Sequence, residues 1–205
     1  MSLRKSLAAY LVLLTLGLPV RAGEFNEILS IGDTAPVWSN LPGTDGKSHS
    51  LADYKDKAAI VLVFTCASCP TAVDYEDRIN DLAKRLGGPN GKVAVVAVCV
   101  HRVKGDSLAE LTERAKQREF AFDYLHDESQ KIAKDYGAIF TPEFYVLGRD
   151  RKIVYMGAFD DKTDAAKAQQ RHVEAAITAV LKSEQPAVKE TIARGCRVRY
   201  VRERK

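Results

Sequence analysis

The junction at residues 58–70 restricts the fold more than any other feature. Ala58 to Thr65 (AAIVLVFT) is a continuous apolar run rich in β-branched residues, and it ends directly in Cys66-Ala67-Ser68-Cys69-Pro70. A half-buried strand alternates apolar and polar residues, whereas a continuous run demands cover on both faces of its sheet. Thr71 to Leu86 supplies one cover as a helix. Val73, Ile79, Leu82, Ala83 and Leu86 form its apolar stripe, with Asp74, Glu76, Asp77, Asp81 and Lys84 largely opposite. The turn residues Gly87 to Gly91 stop it, and Lys92 to Val100 is a second continuous apolar run. Strand, helix and strand form a β-α-β unit, expected to be parallel with a right-handed crossover.

Downstream, Leu108 to Phe120 reads as an amphipathic helix and Glu128 to Tyr136 as another, closed by Gly137 as its C-cap. Phe140-Thr141-Pro142 leads into a strand over Glu143 to Leu147. Gly148 to Arg151 is a hairpin turn, Lys152 to Met156 the returning strand, and Asp164 to Leu181 a long final helix. This order predicts an α/β fold, with a central mixed β-sheet flanked by helices on both faces. The 205 residues suffice for one domain, assigned to 23–183. Residues 184–205 read as a basic C-terminal tail, expected to be a solvated strand or frayed end, with contact to an anionic membrane surface as the alternative.

Residues 1–22 read as a signal peptide. Arg4 and Lys5 precede an apolar run from Leu7 to Val20, and small residues surround a cleavage point before Gly23. The run is short for a membrane span, which needs about 20 residues. Cleavage and a periplasmic or otherwise extracytoplasmic location are therefore expected, with an uncleaved N-terminal membrane anchor as the alternative. The net charge of +4 includes Arg4, Lys5 and Arg21 from a segment that holds no acid, so the remainder is near neutral. That balance argues against nucleic acid as a partner.

Export permits disulfides. The chain has four cysteines: Cys66, Cys69, Cys99 and Cys196. A zinc site needs a closed set of ligands, and Cys99 with Cys196 do not make a second Cys-x-x-Cys. His101, near Cys99, could join a mixed metal site, but nothing in the sequence brings these residues together. A structural disulfide across so short a loop gains little. The redox reading explains the location. A cysteine between a strand end and a helix start faces unsatisfied N–H groups and the positive end of the helix dipole, which stabilise a thiolate. Cys66 is thus expected to sit at the helix N-terminus as the attacking thiol, with Cys69 resolving and Pro70 in the first turn. Cys99 reads as an inert buried hydrophobe. Cys196 is a candidate additional thiol: a third member of the site, a partner for Cys99, or free. From spacing alone, Thr141-Pro142 reads as an ordinary trans proline at a strand start, and Glu143 as a surface strand residue.

Several segments resemble the redoxin branch of the thioredoxin superfamily, the alkyl hydroperoxide reductase/thiol-specific antioxidant (AhpC/TSA) group. They are Ile31-Gly32-Asp33-x-Ala35-Pro36, Asp45-Gly46-Lys47, Phe64-Thr65-Cys66-Ala67-Ser68-Cys69-Pro70, Tyr136-Gly137-Ala138, Thr141-Pro142 and Gly195-Cys196. The resemblance implies a thioredoxin-like fold and a cis Pro142 facing the dithiol, where Thr141 and Pro142 dock a partner's extended backbone. It implies an exported thiol-disulfide oxidoreductase with an antioxidant role. Cys66 and Cys69 would form a redox-active disulfide with no other cofactor and no metal. Its partners would be thiol or disulfide proteins and an upstream membrane thiol reductase. The alternatives are a thiol peroxidase and a Cu(I) carrier using Cys66, Cys69 and a histidine. Peroxiredoxins carry Pro-x-x-x-Thr/Ser-x-x-Cys; counting back from Cys66 gives Val63 and Ala59, and from Cys69 gives Cys66 and Leu62, so neither frame fits. The related subgroup often has His between its cysteines, where this chain has Ser68, which disfavours a strong oxidant.

Overall fold

The computed structural model describes residues 23–88 and 90–201; the expected signal segment, 1–22, lies outside them. A short hairpin of β1 (Leu41–Pro42) and β2 (Ser48–His49) precedes a 3-10 turn over Leu51–Tyr54. Then come β3 (Ala59–Thr65), α1 (Pro70–Leu86), β4 (Val93–Cys99), α2 (Leu108–Gln117) and β5 (Asp123–His126). They are followed by α3 (Lys131–Tyr136), β6 (Phe140–Thr141), β7 (Glu143–Leu147), β8 (Ile153–Gly157), α4 (His172–Leu181) and β9 (Cys196–Arg197). The central sheet has the order β5-β4-β3-β7-β8. β3, β4 and β5 run parallel, β7 is antiparallel to β3, and β8 is antiparallel to β7.

Every residue of β3 and β4 is buried, as their unbroken apolar runs require. Successive side chains on β3 feed opposite core layers. Ala59, Val61 and Val63 pack with Ile79 and Leu82 of α1, Leu111 of α2 and Val173 and Ile177 of α4. Ile60, Leu62 and Phe64 pack with Ile132 and Tyr136 of α3 and with Leu29, Trp38 and Leu51 from the N-terminal segment. Phe64 meets Tyr136 and Tyr145 edge-on at centroid distances of 5.6 and 5.7 Å. Truncating so buried a ring costs about 3–5 kcal/mol. Among the described residues no helix is long and apolar enough to cross a membrane.

Two elements differ from expectation. The helix foreseen over Asp164 to Leu181 is a 3-10 turn at Ala165–Lys167 followed by α4. The Asp161 carboxylate accepts the backbone N–H groups of Gln169 and Gln170, and so holds the intervening chain out of the helix. The expected tail is also corrected: Lys189 to Val201 pack back onto the domain. Met156 donates its backbone N–H to the Lys189 carbonyl and accepts the Thr191 N–H, Val198 N–H donates to Ile139, and Gln130 binds Arg199 and Val201. Ala193 and Val198 are buried. The stretch supplies partners to backbone groups around β6 that would otherwise be unpaired.

Candidate redox site

Pro70 decides which sulfur caps α1. Proline suits the first helical position because its missing N–H needs no partner there. The helix therefore begins at Pro70, and Cys69 is its N-cap with extended backbone (φ −99°, ψ 115°). Cys66, expected at the helix N-terminus, instead lies just beyond the last residue of β3. The Cys69 sulfur accepts the Ala72 N–H at 3.4 Å. In its thiol form it donates to the Thr141 carbonyl at 3.1 Å. Cys66 Sγ lies 3.4 Å from Thr141 Oγ1. One residue thus touches both sulfurs, and the Thr141–Pro142 bond that follows it is cis, unlike the trans proline read from spacing alone. Cys66 and Cys69 are each only 1% exposed.

A polar cluster supports the Cys66 side. Asp106 is fully buried in the loop before α2, and its Oδ1 accepts the backbone N–H groups of Ala67 (2.7 Å) and Ser68 (3.0 Å). Its Oδ2 accepts the Ser68 hydroxyl and faces His101 Nδ1 at 3.5 Å. Ser68 Oγ also lies 3.4 Å from His101 Nδ1 and 3.7 Å from Cys66 Sγ. Burial disfavours a charged His101, but hydrogen bonds with Asp106 and Cys66 outweigh it and raise the imidazole's pKa. The Arg199 N–H points at Nε2 from 3.3 Å. Burial likewise opposes ionisation of Asp106; hydrogen bonds from His101 and Ser68 prevail and hold its carboxyl below the usual range. An imidazole therefore stands beside the cysteine pair although the motif itself carries Ser68 in place of histidine. The donor atoms of Cys66, His101 and Asp106 lie within 4.8 Å of one another, but the carboxylate already serves Ala67 and Ser68.

Cys196 completes the Cys69 side. β9 pairs with β6 in antiparallel register, Phe140 opposite Arg197 and Thr141 opposite Cys196. Burial penalises a Cys69 thiolate, but hydrogen bonds from Cys196 and from the Ala72 N–H outweigh it, so the Cys69 thiol is lowered. The same contact pushes Cys196 up to about 11. Cys99 is fully buried, unpaired with Cys196, and pushed up by burial and then by the Asp106 charge. Glu143 is not a surface residue. It is 8% exposed, and its carboxylate accepts the N–H groups of Ile139 and Phe140 and the Tyr145 hydroxyl, fixing the chain that enters Thr141-Pro142.

Asp106 was not foreseen, because an Asp-Ser pair before a helix reads as capping; Ser107 is indeed the N-cap of α2. His101 was placed only beside Cys99. The signal that finds it is topological: Thr65 and Cys99 are register partners in parallel strands, so the chains leaving β3 and β4 emerge at one sheet end. Ligand and catalytic groups gather at the carboxyl ends of such strands.

Comparison with known proteins places the fold. An uncharacterized conserved protein of Geobacillus kaustophilus superposes with a TM-score of 0.79 at 30% identity, covering 87% of this chain and 96% of that one. A Mycobacterium tuberculosis protein that carries peroxiredoxin as a provisional name is 28% identical over 121 residues, 57% of this chain and 69% of its own. The peroxidoxin BcpB of the same species shares the fold, with a TM-score of 0.58 at 21% identity over 75% of this chain and 96% of that one. The family model described as AhpC/TSA matches residues 31–156, which include Cys66, Cys69, His101, Asp106 and Pro142 but not Cys196. Since that match spans more than half of the chain, the protein belongs to the AhpC/TSA family, with a thioredoxin-like fold.

Proposed function

We propose that this protein is a thiol-disulfide oxidoreductase that works outside the cytoplasm, reducing or exchanging disulfides in protein partners through Cys66 and Cys69. The observation that carries the proposal is the shared contact of both sulfurs with Thr141, the residue before cis-Pro142. A partner's extended backbone would dock beside cis-Pro142, bringing its disulfide to the sulfurs, and β9 would yield the Thr141 edge while the partner is bound.

The chemistry needs no cofactor. His101, oriented by Asp106, takes the Cys66 proton, and the Cys66 thiolate attacks one sulfur of the partner disulfide. That S–S bond breaks, a mixed disulfide forms, and the partner's other sulfur leaves as a thiolate that is then protonated. The Cys69 thiolate attacks Cys66 Sγ and releases the second partner thiolate. The products are a reduced partner and a Cys66–Cys69 disulfide, with two electrons transferred. An upstream membrane thiol reductase would restore the dithiol.

The test compares insulin-disulfide reduction, peroxide consumption and Cu(I) binding by the prereduced protein, with Cys66→Ser and Cys69→Ser alongside. Insulin reduction is expected to disappear in Cys66→Ser. Its survival would overturn the proposal, fast peroxide turnover surviving Cys69→Ser would favour a peroxidase, and tight Cu(I) binding without thiol exchange would favour a carrier. N-terminal sequencing of the exported protein is expected to begin at Gly23.

A further inference from the structure

We propose that Cys196 is a redox-active third thiol that takes Cys69 as its disulfide partner, giving the oxidised protein a bond that external thiols can reach. The inference rests on Cys66–Cys69 being the primary redox pair. It starts from register. Residues directly opposite in an antiparallel pair place their side chains on one face, with Cβ atoms roughly 4.5–5.5 Å apart. Cys196 is opposite Thr141, and the Thr141 hydroxyl points at Cys66 Sγ. The Cys196 side chain consequently projects toward the same sulfurs, where it packs against the core cluster containing Cys66 and Cys69, near enough to lower the Cys69 thiol.

Gly195 makes this approach feasible. A Cβ at that position would lie 2.0 Å from the Thr141 carbonyl oxygen and 3.3 Å from Pro142 Cδ. No side-chain rotation relieves a clash with backbone. The glycine therefore allows β9 to lie against the cis-proline edge and bring Cys196 into place.

Exposure gives the third thiol a task. Cys66 and Cys69 are buried, whereas Cys196 is partly exposed. In the oxidised protein, the Cys196 thiolate attacks Cys69 Sγ. The Cys66–Cys69 bond breaks, Cys66 leaves as a thiolate and is protonated from His101, and a Cys69–Cys196 disulfide forms. This is an exchange with no net oxidation, and the Cys196 proton passes to solvent. In the reduced protein there is no disulfide for Cys196 to attack, and the contact with Cys69 is the largest influence holding Cys196 protonated. Once Cys69 is bonded to Cys66, its negative charge is gone and that restraint is lifted, while Arg199 still favours the thiolate. An external thiolate can then attack the accessible Cys196 sulfur. Cys69, whose thiolate is stabilised by its helix cap, is the better leaving group.

The test equilibrates the full chain with oxidised and reduced glutathione, quenches with acid, alkylates and maps tryptic peptides. Cys66 and Cys69 share peptide 58–78, Cys196 lies in 195–197 and Cys99 in 93–102. Wild type is expected to give both the internal 58–78 disulfide and a 58–78 to 195–197 cross-link, and Cys66→Ser to retain the cross-link. Reduction of oxidised Cys196→Ser by glutathione is expected to be roughly tenfold slower than that of wild type, since only buried sulfurs remain for attack. The proposal is overturned if Cys66→Ser yields glutathione on Cys69 with Cys196 still alkylated, or if the cross-link forms in Cys69→Ser but not in Cys66→Ser. It is equally overturned if wild type gives the internal disulfide without any cross-link. Absence of the internal disulfide from wild type, with glutathione left on Cys66, would instead refute the underlying Cys66–Cys69 pair.

Discussion

Asp106 holds Ser68 at two points, accepting its backbone N–H at Oδ1 and its hydroxyl at Oδ2. The carboxylate thereby fixes the loop between the two cysteines and presents a negative charge to His101. Asp106→Asn keeps an oxygen for the loop but removes the charge. The His101 pKa is expected to fall, and thiol exchange at neutral pH to slow by about tenfold or more, because less imidazolium then stands beside Cys66 to favour the thiolate over the thiol. Imidazole titration by NMR together with the pH profile of insulin reduction checks this. An unchanged His101 titration would show that Asp106 serves the loop alone. Asp106→Ala also strips acceptors from Ala67 and Ser68 and is expected to cost about 1–3 kcal/mol of stability.

Gly195→Ala tests the seating of β9. Its new Cβ would have to occupy space within 2.0 Å of the Thr141 oxygen, so the strand must lift or β6 must shift. Overpacking of this kind costs about 1–3 kcal/mol. Cys196 is expected to react faster with iodoacetamide while the helices persist. A melting temperature and alkylation rate equal to wild type would mean that the β6–β9 pairing is not maintained in solution.

The sheet was legible in the sequence because burial on both faces leaves a mark on every residue of a strand. Ala58 to Thr65 and Lys92 to Val100 could be covered only by two layers, and the two core clusters divide β3 residue by residue. Strand β5, Asp123 to His126, left no such mark: it is short, and its terminal residues are polar and half-buried. The cysteine motif and Pro142 were visible as local patterns. His101, Asp106 and the packing of Cys196 were not, because each depends on contacts between segments distant in the chain. The helix cap also turned on a single residue, with Pro70 assigning to Cys69 the position expected for Cys66.

Glu143 predicts an acid-range effect on stability. Burial raises its carboxyl above the ordinary value of 4.5, despite the Phe140 and Ile139 N–H groups that favour the charged form. The folded state therefore holds this proton more tightly than the unfolded state. Its contribution to stability is greatest below the unfolded pKa and declines as pH rises from there through the folded pKa. Urea unfolding across that window is expected to show a flatter pH dependence for Glu143→Gln than for wild type. Glu143→Ala leaves the N–H groups of Ile139 and Phe140 without their acceptor and is expected to cost about 1–3 kcal/mol at neutral pH.

The two thiols at the end of α1 are expected to titrate on opposite sides of an ordinary cysteine. In the reduced protein Cys69 ionises below the usual value of 9.0, and Cys196 only at about 11. The Cys69 contribution to stability is present above its unfolded pKa and is lost as pH falls through its lowered folded pKa. For Cys196 the contribution is present below 9.0 and is lost as pH rises through about 11. Cys196→Ala removes the S–H that supports the Cys69 thiolate, so the Cys69 pKa is expected to rise and its iodoacetamide reactivity at neutral pH to fall, although the sulfur loses a neighbour that shields it. Better access alone would make Cys69 react faster. Alkylation followed by peptide mass over a pH series separates these directions, and a faster reaction with an unshifted midpoint would show that Cys196 covers Cys69 without tuning it.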